Sequence, residues 1–382
     1  MDDQCLIEES TYKSIHSVEN WQIIADHLPA GWKDQARILG AMRRTRCFES
    51  PEVLLRALLI HLAEGCSLRE TAVRARQGEL AKVSDVAIMK RLRASDEWLR
   101  WMAFELARPR RQSELPDGNG KYRILVVDAT TVSEPGSTGT DWRLHYVLEL
   151  KTLRCDFFEL TDVGGGETLL RIPIRKGDLI LADRCYEGMD GIHHVLREGG
   201  DVLLRMRVCG PSLETPGGGK FDLMRKLGCL KIGDTGEWPV RLITTGKEPI
   251  AGRMCAVRRS ESAAGLAREK VLKEARRKGK RSTDNALKAA GYVFVFTTVG
   301  DGALSAKDVL ELYRGRWQIE MCFKRLKSVI GFGHLPKHDE RSCRAWLHGK
   351  LLVSLIAERL LDTARNFSPW GYELQKEEAE LS

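Results

Sequence analysis

Ile124-Leu-Val-Val-Asp128 and Leu179-Ile-Leu-Ala-Asp183 share one pattern, four apolar residues followed at once by a carboxylate. Short unbroken apolar runs mark strands buried on both faces. Around them, Leu144 to Leu150, Phe157 to Leu160 and Val202 to Met206 also read as strands, with helical Ile192 to Arg197 before the last. Strands joined first by short links and later alternating with helices predict an α/β fold, a mixed sheet with helices packed on it. An acid at the rim of such a sheet keeps its charge because the buried strand ends there on solvent or ligand. Strand-end aspartates are also common turn-formers and helix caps, so neither decides a function alone.

On the amino-terminal side the pattern is helical. Trp21 to Leu28 reads as a helix, and Ser50 and Pro51 fit the N-cap and first position of another running to Ala63. Ser67-Leu-Arg-Glu70 has the form of a capping box, Gly78 fills a gap, and Ser84 fits the cap of a further helix. That spacing suits a helix-turn-helix presenting Lys90, Arg91 and Arg93 to a DNA groove, or an ordinary helical hairpin with a solvated basic face. The Pro, Gly, Asn and Asp cluster from Leu115 to Gly120 breaks the pattern. The expected division is a helical domain over 1–114, the first part of an α/β core over 115–208, and a β-rich insertion over 209–291. The core resumes over 292–345, and a helical tail follows over 346–382. Within the insertion, Val240 to Thr245 and Met254 to Val257 read as strands and Leu266 to Arg281 as a charged helix. Tyr292 to Thr297 closes it as a strand.

With 382 residues and a formal net charge of +8, the chain is long enough for several cores and leans toward an acidic partner such as nucleic acid. Its ten cysteines, Cys5 and Cys209 among them, form no Cys-x-x-Cys pair and read as reduced thiols. The acidic start Met1-Asp-Asp has no apolar run behind it, and no stretch has the length of a membrane span. A cytoplasmic protein with no membrane partner is expected.

A long helix is predicted from about Ala306 to Val329. On it Tyr313, Arg316 and Lys327 each fall within about 40° of Glu320 at ~100° per residue, while Leu312, Ile319, Phe323 and Leu326 supply apolar contacts elsewhere. Alone, this stripe fits a solvent-facing salt-bridged surface. Together with Asp128 and Asp183 it offers three acids from two strand ends and one helix, hard oxygen ligands suited to two Mg²⁺ or Mn²⁺ ions. Such a pair can activate a water or 3′-hydroxyl and stabilise the leaving oxygen in an in-line phosphoryl transfer. Arg316, Lys324 and Lys327 would then hold phosphates, with Tyr313 as a hydrogen-bond donor.

The chain resembles the DDE-type insertion-sequence transposases marked by Tyr-x2-Arg-x3-Glu-x6-Lys. Tyr313-Arg-Gly-Arg316-Trp-Gln-Ile-Glu320 to Lys327 carries that spacing throughout. Val126-Val-Asp128-Ala-Thr-Thr and Ala182-Asp-Arg-Cys-Tyr186 resemble the family's first and second aspartate regions. The similarity covers Tyr122 to about Leu361 well and the amino-terminal third loosely. It implies an RNase H-like core that nicks double-stranded DNA at the terminal inverted repeats of a mobile element, closes a hairpin on the element's end, reopens it and joins the end to target DNA. It also implies that 1–114 is a DNA-end-binding domain, that the core over 115–208 and 292–345 is catalytic, and that a homodimer bridges two ends in a bacterial cytoplasm, associated with the nucleoid. Two rivals stay open, a nuclease of this fold without strand transfer and a non-catalytic DNA-binding descendant.

Other signals are weaker. Lys270 to Arg281 is the densest basic run and fits either a DNA-tracking helix or a solvated face. Trp142, Trp238 and Trp317 have the size to stack a displaced base, although core tryptophan is commoner. His334 and His338 are split by Pro336, which argues against a helical metal pair. Gly217-Gly-Gly-Lys220 lacks the Ser/Thr of a phosphate loop, so no nucleotide cofactor is expected.

Overall fold

Capping and apolar periodicity account for most of the helices. The computed structural model describes residues 18–43, 47–108, 122–208 and 210–365. The Leu115–Gly120 boundary, Cys5, Cys209, the acidic start and the end of the expected tail lie outside the described residues. The chain forms two units, one containing the residues up to Arg108, Thr131–Leu144 and those from Phe323 on, the other the residues from Pro109 to Thr130 and His145–Cys322.

The first unit is helical, built from α1 (Val18–Ala25), α2 (Trp32–Ile38), α3 (Pro51–Ala63), α4 (Leu68–Gln77), α5 (Asp85–Ala94), α6 (Asp96–Ala107) and α13 (Glu340–Arg365). Ser50, Ser67 and Ser84 accept hydrogen bonds from Val53, Glu70 and Ala87 as N-caps of α3, α4 and α5. Glu70 turns to Arg74. The apolar face of α13 is covered within the unit: it packs on α6, α3 and α5, burying Leu347, Leu351, Leu352 and Leu355. Trp98 on α6 stacks on Trp32 and donates its indole hydrogen to the Trp32 carbonyl at 2.8 Å.

The second unit carries most of a nine-stranded mixed sheet, in the order β3-β2-β1-β4-β5-β9-β8-β7-β6. Its strands are β1 (Arg123–Val132), β2 (Trp142–Glu149), β3 (Arg154–Asp162), β4 (Asp178–Ala182), β5 (Asp201–Arg205), β6 (Ser212–Glu214), β7 (Thr235–Ile243), β8 (Ile250–Arg258) and β9 (Tyr292–Thr297). β1, β4 and β5 run parallel, and β9 joins β5 antiparallel. The inserted strands make no separate sheet. β8 pairs with β9 over six register positions, from Arg253↔Thr297 to Arg258↔Tyr292, and β7 and β6 follow outward. The helices are α7 (Met189–Arg197), α8 (Leu223–Gly228), α9 (Glu261–Arg277), α10 (Asp284–Ala289) and α11 (Ala306–Arg314), and α12 (Trp317–Ser328) begins here.

The single long helix expected from Ala306 to Val329 is broken in two. Arg316 and Gln318 donate their N–H groups three residues back, to Tyr313 and Gly315, closing tight turns between α11 and α12. Gly315 fits there for want of space: a β-carbon on it would stand 2.8 Å from Leu150 Cδ2. The break places Tyr313 at the buried end of α11 and frees Arg316 from helical geometry.

Candidate active site

Parallel pairing of β1 with β4 aligns Val127 with Ala182. Asp128 follows within β1 and Asp183 follows just past the end of β4, so the two carboxylates start from adjacent chains, about 4.8 Å apart, at the same level. One oxygen of each is tied locally. Asp128 Oδ1 accepts the Ala129 N–H at 2.8 Å, and Asp183 Oδ1 accepts the Cys185 N–H at 2.7 Å, capping a one-turn 3₁₀ helix over Arg184–Tyr186. Asp183 thus fills the turn-capping role that strand-end aspartates often have, whereas Asp128, expected to end its strand, lies within β1, which runs on to Val132; each keeps a second oxygen for other work.

Arg316 joins Asp128 to the glutamate helix. Its Nη1 lies 3.4 Å from Asp128 Oδ2, and its Nη2 donates to Glu320 Oε1. Burial disfavours the Arg316 charge, but Tyr313, Glu320 and Asp128 outweigh it and raise its pKa. Burial acts the other way on Asp128. It pushes that carboxyl up to about 6, with the Ala129 N–H and Arg316 opposing and the charges of Asp183 and Glu167 adding. One guanidinium therefore stands where positive charge is needed to hold two acids together.

Sequence reasoning missed Glu167. An oxygen of Glu167, an oxygen of Asp183 and the Cys185 sulfur all lie within 4.8 Å of one another. Burial, then the charges of Asp183 and Glu167, pushes the Cys185 thiol up to about 12. Glu167 sits in a loop with no periodicity, which left no pattern to find. Two basic residues were also missed: Arg184 and Arg205 lie close enough to Tyr313 to act on its charge. Both stand at the carboxyl ends of parallel strands, where α/β sheets place ligands, and that rule was the available signal.

Two buried hydroxyls face this region with no hydrogen-bond partner among the described residues, those of Tyr186 and Tyr313. Burial pushes the Tyr313 phenol up to about 12. Tyr186 is 2% exposed, and burial together with the charges of Asp128, Glu167 and Asp183 raises its pKa further. Buried hydroxyls normally have partners; these two have none among the described residues.

The remaining sequence-derived residues divide. Lys324 and Lys327 are exposed on α12. Lys90 is exposed on α5, whereas Arg91 donates to the Ala41 carbonyl, and Arg93 bonds Ser342 and pairs with Asp339 at 2.8 Å. Arg91 and Arg93 are thus engaged in holding the helical unit together. Trp142 is buried with its indole N–H on Glu134, and Trp238 packs on Phe221, while Trp317 is 54% exposed.

Residues 119–356 match the family described as "Transposase DDE domain". The chain belongs to the DDE transposase family. It is 32% identical over 361 residues to InsL of insertion sequence element IS186A of Escherichia coli strain K12, covering 93% of this chain and 97% of that one. Identity to the transposase for insertion sequence element IS421 of Escherichia coli is also 32%, over 362 residues, with the same coverage. A solved piggyBac transposase synaptic complex with hairpin DNA aligns at a TM-score of 0.46 and 11% identity, covering 93% of this chain and 75% of that one. The second aspartate, the Tyr313 to Lys327 motif and the adjoining strands of this transposase all lie inside the matched region. Among the described residues no helix is long and apolar enough to cross a membrane.

Proposed function

We propose that this transposase cuts the ends of an insertion sequence and joins them to target DNA by metal-dependent in-line phosphoryl transfer, using Asp128, Asp183 and Glu320 on an RNase H-like sheet. The observation that carries this reading is the register that brings Asp128 and Asp183 out of β1 and β4 side by side, with Arg316 tying Asp128 to Glu320. The donor set suits a hard divalent cation, since it offers carboxylate oxygens, and the orphaned Tyr186 hydroxyl beside them fits a bound water. Asp128, Asp183 and Glu320 would hold two Mg²⁺ or Mn²⁺ ions, which when bound supply activation of the attacking oxygen and neutralisation of the leaving one.

The chain's own residues supply position and charge. Arg316 can give a bidentate contact to a phosphate, and Tyr313 has a free buried hydroxyl for one of its oxygens. Arg184 and Arg205 extend the positive surface along the strand ends, and Lys324 and Lys327 extend it along α12. Exposed Trp317, next to Arg316, offers a face for a base displaced during hairpin closure. Two copies would bridge paired terminal repeats in the cytoplasm of a bacterial host, with the helical unit reading the repeats.

The test is cleavage of DNA carrying the element's terminal repeats by the purified full-length chain with Mg²⁺. Asp128→Ala, Asp183→Ala and Glu320→Gln are each expected to abolish cutting while leaving end binding largely intact. Normal cutting by any one of them removes that residue from the site. A pre-cut end with a 3′-hydroxyl should be joined to plasmid DNA; hydrolysis without joining would make the chain a nuclease.

A further inference from the structure

We infer that Glu167 is a fourth acidic ligand of the active site, placed to hold a divalent cation together with Asp183. This rests on the metal-dependent reading above and adds a residue that the Asp-Asp-Glu pattern does not contain. The carboxylates of Glu167 and Asp183 approach within 4.8 Å, with the Cys185 sulfur within the same limit. A thiol is a soft donor, so a hard cation there takes the oxygens.

Acids gather on surfaces without any ion, and proximity alone would carry nothing. The second observation is Tyr186. Its side chain is 2% exposed, and its hydroxyl has no partner among the described residues. The charges that bear on that hydroxyl belong to Asp128, Glu167, Asp183 and Cys185. A phenol close enough to feel these carboxylates, yet bonded to none, leaves a gap of the kind that a water on a cation fills.

Glu167 is also held in place. Thr168, the next residue, caps the 3₁₀ turn Leu169–Arg171 through its hydroxyl, which accepts the Leu170 N–H at 3.3 Å. That turn packs on α7 at Gly191, where a β-carbon would come within 3.0 Å of Leu169 Cβ. The loop thus enters the site from an anchored point, as a metal ligand requires.

The test is Mn²⁺ binding to the full-length protein without DNA, read as free Mn²⁺ by electron paramagnetic resonance. Glu167→Gln keeps the size but loses the charge and one acceptor oxygen; it should weaken binding about tenfold, within the range seen when groups supporting a metal site are removed. Glu167→Asp should restore most of the affinity. If Asp183→Asn weakens binding and Glu167→Gln does not, this inference is wrong while the proposed function stands. If neither changes binding, both fall. Should a variant fail to fold, Fe²⁺ with peroxide and ascorbate decides on the natural chain. Backbone cuts at residues 166–168 are expected with those near Asp183, and cuts near Asp128 and Asp183 without them overturn the assignment.

Discussion

Arg316 Nη1 stands 3.4 Å from Asp128 Oδ2, while the other end of the same guanidinium bonds Glu320. Lysine has one point charge in place of a fork and cannot serve both carboxylates at once. Arg316→Lys should therefore lower single-turnover cleavage roughly 10- to 100-fold, equivalent to the ~1.5–3 kcal/mol of one charge-assisted hydrogen bond. Wild-type rates in the lysine variant would show that the fork has no part in the chemistry.

In the proposed reaction, Trp317 should act on hairpin closure and not on the first nick. Base stacking on an aromatic ring is worth about 1–3 kcal/mol, and Trp317 is the exposed one of the three candidates. Trp317→Ala should slow hairpin formation by about tenfold on denaturing gels and leave nicking near its normal rate. Equal loss of both steps would assign the ring a structural role.

His61 makes the helical unit sensitive to mild acid. Nδ1 donates to the Cys66 carbonyl at 2.6 Å, and Nε2 is buried without a partner among the described residues. Burial, aided by Lys337 and Lys350, lowers its pKa from 6.5 to about 4, against the smaller effect of the Cys66 bond. The folded chain thus refuses a proton that the unfolded chain accepts. Its contribution is complete above pH 6.5 and is lost as pH falls toward 4, on the order of 2–3 kcal/mol. Denaturant unfolding followed by tryptophan fluorescence should show that slope in the wild type and a shallower one in His61→Gln.

Asp96 ties α6 to α13. It accepts from His348 Nδ1 at 2.6 Å and from Arg344 Nε at 3.0 Å. Burial works against its charge, yet these partners bring its pKa below the usual carboxylate value. With His348 2% exposed, Asp96→Ala strands a buried partner and should cost about 3 kcal/mol, read as a lower thermal midpoint. An unchanged midpoint would mean that α13 is held by its leucines alone.

The basic face of α9 is solvated, with Ala264 its buried residue. Changing Lys270, Lys273, Arg276 and Arg277 to glutamine should flatten the plot of log affinity against log salt by about 0.9 for each phosphate contact removed. The same slope in both proteins would leave this helix as an ordinary charged surface.

Much of the fold was legible because burial writes itself into sequence. Ile124 to Val127 and Leu179 to Ala182 are apolar on both faces because both faces are covered; Asp183 follows the end of β4 as expected, whereas β1 runs on past Asp128 to Val132. Serine caps announced α3, α4 and α5. The break at Gly315 was illegible because Leu150, which crowds that position, is remote in sequence, and a periodic stripe continues across the gap. Helix α6 was hidden for a local reason: Ser95 closes α5 and opens α6 with no intervening breaker. The roles of Arg91 and Arg93 depended on Ala41, Asp339 and Ser342, which only the folded chain brings near. Glu167 had neither period nor spacing to betray it.

The seam between β8 and β9 bears on any attempt to trim the chain. Excising the stretch between β5 and β9 would not release a self-contained module. It would strip β9 of its neighbour along six paired positions, baring a row of hydrogen-bonding groups beside Phe294 and Phe296. Naked edges of that kind recruit other chains, so a shortened variant should fail first by clumping.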